Sequence, residues 1–225
     1  MPCIINTHMN KEINYTQVAL MYQIKFIGSF DGILSSYVDR YPNAITTKIP
    51  LPDDFPEDII PRVEIRHADL NITVSFAKSR ADIFFNSSFV DRDVLKHFLE
   101  MVVNLGITIG RLGFVQRTVY RELDMQYVKR KLKVLETTVE DSEILEALQR
   151  VNKKISLENG GNPVECNNIA SLVFGRENEK VALLLERDVN TLMTKNLSLK
   201  NYNDINSILD LLAKEAKNDF FDMAE

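Results

Sequence analysis

The sequence contains few of the residues that mark a disulfide framework, a metal site or a membrane span. Its 225 residues include only two cysteines, Cys3 and Cys166, which lie far apart and lack the spacing of metal ligands. Small secreted domains that depend on disulfides carry more cysteines in a dense pattern. No apolar stretch approaches the roughly 20 residues that a membrane helix requires, and residues 1–11 lack the apolar core of a signal peptide. We therefore expect a cytoplasmic protein with reduced thiols and no membrane partner.

Histidine is also scarce, and the chain lacks the short motifs that usually mark catalysis. We expect His97 to be solvated, because it lies outside the apolar stripe of its helix, and His67 to be hydrogen-bonded at a sheet edge. No G-x-S-x-G, H-E-x-x-H or C-x-x-C sequence supplies a nucleophile or a metal site. The segment Gly110-Arg111-Leu112-Gly113 lacks the Lys-Ser/Thr pair of a phosphate-binding loop. These absences favour a protein that is not an enzyme and needs no cofactor.

The charge balance argues against a large nucleic-acid interface. The formal net charge is −5 and the isoelectric point is about 5.4, whereas nonspecific DNA binding requires clustered cations that replace phosphate counterions. One basic run is a candidate nucleic-acid contact: Lys129, Arg130, Lys131 and Lys133. Acidic residues follow it at once, so a solvated helix face is the favoured interpretation. We expect another protein or a second copy as the partner, with nucleic acid the less favoured alternative.

Hydropathy patterns predict an N-terminal α+β half over residues 15–123, after a flexible segment at residues 1–14. Apolar residues alternate with polar ones over residues 18–27, which predicts a half-buried strand. Helical spacing follows over residues 31–41. Five prolines within residues 42–61 then exclude a central strand and predict a loop that crosses the surface.

The rest of this half is predicted to be a meander, a helix and a strand. Three short alternating runs lie between residues 63 and 85, and their short connections imply antiparallel pairing. An amphipathic helix opens at Asp91, and Gly106 stands where a left-handed cap ends such a helix. Residues 107–120 return to strand, where Gly110 and Gly113 indicate a bulge or a close backbone approach.

A helical bridge is predicted over residues 124–158, followed by a C-terminal hairpin and helix over residues 159–225. Two apolar stripes at helical spacing indicate two helices, and the second stripe consists of Ile144, Leu148, Val151 and Ile155. The turn residues from Asn159 to Pro163 end the bridge. The predicted fold is α+β: a mainly antiparallel twisted sheet with helices packed on one face, in two pseudo-similar halves that complete one compact unit.

Two carboxylates are the candidate metal ligands. Glu186 and Asp188 stand two residues apart on a predicted strand, so they share a face and could together bind Mg²⁺. No third acid at a diagnostic spacing completes such a site. The competing interpretation is a solvated face, or an ion pair of an acid with Arg117 or Arg121.

The C-terminal helix is predicted to be capped by Asn203 or Asp204, and it ends in two adjacent phenylalanines, Phe220 and Phe221. Successive helical residues point about 100° apart, so both rings cannot face the same core. One hypothesis is that one ring packs on a second subunit or on a partner protein. The alternative is a broad internal groove that takes both rings.

Three stretches of the chain carry a family resemblance. They are residues 50–85, a proline-rich lead-in that ends in R-A-D-I-F-F, residues 109–117, which read I-G-R-L-G-F-V-Q-R, and residues 183–189, which read L-L-L-E-R-D-V and precede the helix with Phe220 and Phe221. On these stretches the chain resembles a sporadically distributed, functionally uncharacterised prokaryotic protein family. The resemblance implies genomic neighbourhoods of mobile elements or antiviral defence and a component that acts beside other proteins.

The expected function is therefore a non-catalytic accessory or regulatory component that interacts with another protein. The setting suggested by the resemblance is a prokaryotic antiviral defence or toxin-neutralising system. The first alternative is a metal-dependent hydrolase that uses the sheet carboxylates Glu186 and Asp188. The second is a nucleic-acid-binding module that uses the basic run from Lys129 to Lys133.

Overall fold

The computed structural model describes residues 10–52, 58–87, 89–123, 146–177, 180–192 and 197–217, which form nine strands and three helices. The strands are β1 (Asn10–Tyr22), β2 (Ile45–Lys48), β3 (Val63–His67), β4 (Ile72–Phe76), β5 (Arg80–Phe85), β6 (Ile109–Leu123), β7 (Glu146–Asn159), β8 (Asn162–Glu177) and β9 (Lys180–Thr191). The helices are α1 (Asp31–Arg40), α2 (Arg92–Asn104) and α3 (Tyr202–Ala216). None of these helices is long and apolar enough to cross a membrane.

All nine described strands form one antiparallel sheet in the order β2-β3-β4-β5-β1-β6-β9-β8-β7. The predicted fold class, α+β with a mainly antiparallel twisted sheet, is confirmed. Each half contains a three-stranded meander followed by a helix, namely β3-β4-β5 with α2 and β7-β8-β9 with α3. The two meanders flank the central pair β1 and β6, so the halves share one continuous sheet.

The helices pack on one face of this sheet because their apolar stripes match its inward-facing residues. In α2 the Asp91 side chain accepts hydrogen bonds from the backbone N–H groups of Asp93 and Val94, each at 3.0 Å, and so caps the helix as predicted. Gly106 follows with a φ of 71°, which confirms the left-handed C-terminal cap. Buried residues of all three helices join one core with the inward side chains of β1, β3, β4, β5 and β6.

Gly110 lies at a bulge in the β1–β6 pair, as its sequence position predicted. Met21 pairs with Arg111 and Tyr22 pairs with Ile109, so Gly110 is the extra residue. A Cβ atom at Gly110 would stand 3.2 Å from Cα of Gln23, which is closer than side chains normally approach a backbone. The close approach explains why glycine occupies this position.

The second helix predicted in the bridge is wrong: residues 146–159 are strand β7. Gly160 and Gly161, with φ of 57° and 85°, form a two-residue turn that pairs Asn159 with Asn162 and continues along both strands. Positive φ at both central residues is the requirement of a type I′ hairpin turn. The glycines that were interpreted as a helix terminator are therefore the turn of a long hairpin. The first predicted helix of the bridge lies outside the described residues.

Two predicted boundaries also need correction. Residues 10–14 were expected to be flexible, but Asn10 to Ile13 pair with β6, which is long enough to offer them a partner. The final helix is capped by Asn201, whose side chain accepts a hydrogen bond from the Asp204 N–H at 2.9 Å, and not by Asn203 or Asp204. The hairpin predicted before this helix is confirmed as β8 and β9.

Candidate functional site

The sheet has a second face, here called the open face, which lies opposite the helices. Arg187 of β9 contacts Glu215 of α3, so its neighbours Glu186 and Asp188 point to the other side. Strand register places Arg117, Glu186, Ser171 and Arg150 in one row on this face. This register agrees with the prediction that Glu186 and Asp188 lie on the same face of the sheet.

The two candidate metal ligands are held by protein partners. Glu186 accepts a hydrogen bond from Arg117 Nε at 2.6 Å, which is the ion pair that the competing interpretation predicted. Asp188 accepts from Asn190 Nδ2 at 2.8 Å. Within the described ranges no group of three or more His, Cys, Asp or Glu side chains is arranged to hold a metal ion. The geometry therefore favours a structural ion pair over a metal site.

A chain of polar contacts continues from Arg117 across β1 to β5. The Arg117 guanidinium lies over the Tyr15 ring, 4.7 Å from its centroid, and the Tyr15 hydroxyl donates to Gln17 at 3.0 Å. Gln17 Nε2 donates to Asp82 at 2.7 Å, and Asp82 accepts two further bonds from Arg80 at 2.6 Å. Burial raises the pKa of Tyr15, so its hydroxyl stays protonated. Because each of these groups is held by a hydrogen bond, an ion pair or a ring contact with its neighbour, the arrangement suits a binding surface better than proton transfer.

Beside these charges runs an apolar row that crosses four strands of the open face. Cross-strand pairing aligns Val119 with Leu184, Leu184 with Val173, and Val173 with Leu148. The row is roughly 14 Å long at about 4.8 Å per strand spacing. Val119, Leu184 and Val173 are half-buried, whereas Leu148 on the outer strand β7 is 63% exposed. These aligned apolar side chains beside a charged row form a distinct surface feature of the described open face.

Arg187 makes a structural contact that the sequence interpretation missed. It is the largest fully buried side chain of the described core, with 2% of its surface exposed. Its guanidinium donates to Asn168 Oδ1 at 3.0 Å and lies 3.9 Å from the Glu215 carboxylate, which also accepts from Asn168 Nδ2 at 2.6 Å. This network fixes the C-terminal turn of α3 on the sheet. The alternation of β9 placed Arg187 on the same face as Leu185 and Val189, which is the signal that could have revealed it.

A pocket of about 280 Å³ lies between α2, α3 and the helix side of the sheet, and is called the α2–α3 pocket here. Its lining combines apolar side chains, which include those of Val18, Leu95, Phe114, Leu209 and Ala213, with the polar side chains of Gln116 and Lys217. Arg92 and Asp210, joined by an ion pair of 2.7 Å, stand at its rim. The sequence patterns did not predict this pocket, because it depends on how far apart the two helices pack.

Both described histidines are buried in a cluster of rings, so the expectations of a solvated His97 and a hydrogen-bonded His67 are wrong. Tyr37 and Tyr41 each contact both His67 and His97, with ring centroids 4.7–5.6 Å apart. Nε2 of both histidines and the Tyr37 hydroxyl are buried without a hydrogen-bond partner among the described residues. Aromatic packing between α1, α2 and β3 draws these polar rings into the interior.

This cluster predicts that the protein loses stability in mild acid. Burial lowers the pKa of both histidines below the ordinary value of 6.5. It outweighs the carboxylates of Asp69 and Asp91 near His67 and that of Glu100 near His97. As the pH falls, the unfolded chain therefore takes up protons before the folded protein does. The stability that the two neutral histidines contribute is fully present above pH 6.5 and is lost as the pH falls below it. Urea unfolding at pH 7.5, 6.5 and 5.5 should show a falling midpoint. The double variant His67→Leu/His97→Leu should show a flatter profile over this window, and an equal slope in both proteins would contradict the assignment.

The remaining sequence candidates lie outside the described residues or are chemically inert. Lys129, Arg130, Lys131 and Lys133 fall within residues 124–145, and Phe220 and Phe221 fall within residues 218–225, neither of which the structure describes. Cys166 is a free, buried cysteine, and burial raises the pKa of its thiol to about 11. At neutral pH it is protonated and unsuited to act as a nucleophile.

Comparison with known proteins gives no assignment. No protein-family model matches the chain, and no curated protein sequence matches it significantly. A functional interpretation therefore depends on the surfaces and pockets themselves.

Proposed function

We propose that this chain is a non-catalytic accessory or regulatory component that binds another protein through the open face of its sheet. The apolar row from Val119 to Leu148 is the observation that supports this most directly. Protein interfaces combine an apolar, well-packed centre with a polar, solvent-accessible rim. Here the apolar row supplies the centre, and the adjacent row of Arg117, Glu186 and Arg150 supplies the rim.

The state of the charged groups supports binding over catalysis. The acids Glu186 and Asp82 are engaged by Arg117 and Arg80, so neither is poised as a general base. The hydrolase alternative requires Glu186 and Asp188 to face a shared cation, but Glu186 already has an arginine partner. The nucleic-acid alternative rests on the run from Lys129 to Lys133, and no contact among the described residues favours it.

The proposed setting is the cytoplasm of a prokaryote, in an antiviral defence or toxin-neutralising system. This part of the proposal rests on the family resemblance of the stretches at residues 50–85, 109–117 and 183–189. Components of such systems act beside other proteins, so the partner is another protein of the same system or a second copy of this chain. A binding role for the open face fits either partner.

The test is a charge placed in the apolar row, with a matched control on the opposite edge of the sheet. Leu148→Asp should weaken partner binding by about 30-fold, because a buried contact residue contributes about 2 kcal/mol when it is central to an interface. Ile45→Asp adds the same charge to β2, where Ile45 is 62% exposed and therefore equally accessible. Each tagged protein is expressed in its native host, and proteins cross-linked to it are quantified by mass spectrometry.

The expected result is a partner that is captured by wild type and Ile45→Asp but not by Leu148→Asp. Light scattering of the purified protein then separates self-association from binding of another protein, because only a self-associating chain has more than the monomer mass of 25.8 kDa. Equal capture by both variants would show that the apolar row is not the interface.

A further inference from the structure

The α2–α3 pocket combines an apolar interior with a charged mouth. Val18 and Phe114 line it from the sheet, and Leu95 and Leu209 line it from the helices; all four side chains are buried. Small-molecule sites are typically lined by apolar side chains, with a few polar groups that fix the orientation of the ligand. A ligand of this pocket therefore has an apolar body, and the charged side chains determine its head group.

Three charged side chains line the pocket in the described part of the chain, namely Arg92, Asp210 and Lys217. All three are exposed residues, so they stand at the mouth and not in the interior. Arg92 forms an ion pair with Asp210, whereas no carboxylate among the described residues forms one with Lys217. This lining therefore carries one excess positive charge, which favours an anionic head group.

The groups at the mouth suit a carboxylate in particular. A guanidinium carries several N–H donors, and Arg92 donates from Nη1 to Asp210, which leaves others for a ligand. A carboxylate can accept from a guanidinium and an ammonium at once, through its separate oxygens. The Asp210 carboxylate repels negative charge, so a head group with a single negative charge is favoured over a doubly charged one such as phosphate.

The volume limits the apolar body to a short chain or a single ring. The pocket measures about 280 Å³. Since a cavity of about 150 Å³ holds benzene, this pocket accommodates roughly ten heavy atoms. Octanoate has this size, and its chain can lie in the interior while its carboxylate stays at the mouth.

We propose that the α2–α3 pocket binds a short-chain monocarboxylate, with its apolar chain among Leu95, Phe114 and Leu209 and its carboxylate at Lys217 and Arg92. The site lies on the helix side of the sheet and is independent of the protein contact proposed for the open face. Leu148 does not line the pocket, so the variant that tests the open face leaves this site unchanged. The two proposals can therefore fail separately.

The test compares octanoate with 1-octanol, which has the same chain and no charge. The methyl-labelled 225-residue protein is titrated with each probe below the concentration at which octanoate forms micelles. Dissociation constants are taken from the NMR shifts of Leu209 and Ala213, and both probes should move these signals. Added salt should weaken the binding of octanoate more than that of 1-octanol, because ions screen exposed charges.

Two charge variants should change the relative affinity in opposite directions. Lys217→Gln should weaken octanoate relative to 1-octanol by roughly two- to fivefold, the effect of an ion pair at an accessible site. Asp210→Asn should strengthen octanoate by a similar factor, because it removes the repulsion and releases Arg92. Lys214→Gln is the matched control: it removes the same charge from the last turn of α3 but does not line the pocket, so the relative affinity should stay close to that of the wild type.

A further variant locates the binding site. Ala213→Leu fills the pocket and should abolish the shifts that either probe causes at Leu209. The proposal is overturned if octanoate does not move the pocket signals or still binds to Ala213→Leu. It is also overturned if Lys217→Gln and Asp210→Asn leave the relative affinity unchanged, or if Lys214→Gln changes it as much as Lys217→Gln does.

Discussion

Replacing Arg187 by alanine is expected to lower the free energy of unfolding by about 3–5 kcal/mol, the usual loss when one member of a buried charged network is removed. The side chain is 2% exposed, and its guanidinium donates to Asn168 Oδ1 and to the backbone carbonyl of Glu215. Without it, Asn168 and Glu215 lose their partner while remaining in contact with each other and with the sheet. The end of α3 should detach first, since the network holds that turn. Urea unfolding monitored by circular dichroism measures the loss.

A matched arginine on the other face is the control. Arg117→Ala removes the ion pair with Glu186, but this pair lies on the accessible open face, where such pairs contribute only about 0–1 kcal/mol. The methionine variant of Arg187 should lose less stability than the alanine variant, because an apolar side chain of similar length can fill the site. Equal losses for Arg187→Ala and Arg117→Ala would contradict the structural role assigned to Arg187.

Phe98→Ala should likewise destabilise the protein by about 3–5 kcal/mol, the range for removal of a fully buried aromatic ring. Phe98 of α2 has no exposed surface, and its ring centroid lies 5.9 Å from that of Phe76 in β4. The substitution leaves a cavity between helix and sheet that surrounding side chains fill only in part.

The control for this prediction is Phe89→Ala. Phe89 precedes α2 and is 68% exposed, so its loss should change stability by no more than about 0.5 kcal/mol. Thermal unfolding of both variants and the wild type provides the comparison. A loss for Phe89→Ala as large as that for Phe98→Ala would show that exposure does not determine the effect here.

The N-terminal half followed from the sequence because its signals are local. Strands β3, β4 and β5 each alternate with period two, and short polar turns separate them, so pairing and hydrophobic pattern agree. In the C-terminal half, apolar residues such as Leu148 and Val151 also fit helical spacing. Their segment is nevertheless a strand, because it pairs with β8. A hairpin of this length is stabilised by pairs of residues on opposite strands, and most of these pairs lie too far apart in sequence for a short segment to reveal them.

The same distinction applies to the candidate site: features set by neighbouring residues were predictable, and features set by contacts between distant elements were not. Strand alternation was enough to predict that Glu186 and Asp188 share a face, and the Arg117 ion pair was among the alternatives. Gln116 and the α2–α3 pocket were not predictable, since they depend on the distance between helices that are far apart in sequence. The buried histidines were missed for the same reason, because their partners Tyr37 and Tyr41 lie in α1 and directly after it.

The central place of β1 determines the order in which the chain can fold. This strand leaves the ribosome before both of its neighbours, yet it must be inserted between β5 and β6. At about 5–20 residues per second, β6 is complete roughly 5–20 s after β1, a long interval for an apolar strand without its final partners. Such distant pairing is associated with slow folding and exposure to aggregation. During synthesis, β1 is therefore the segment that a chaperone would be most useful in shielding.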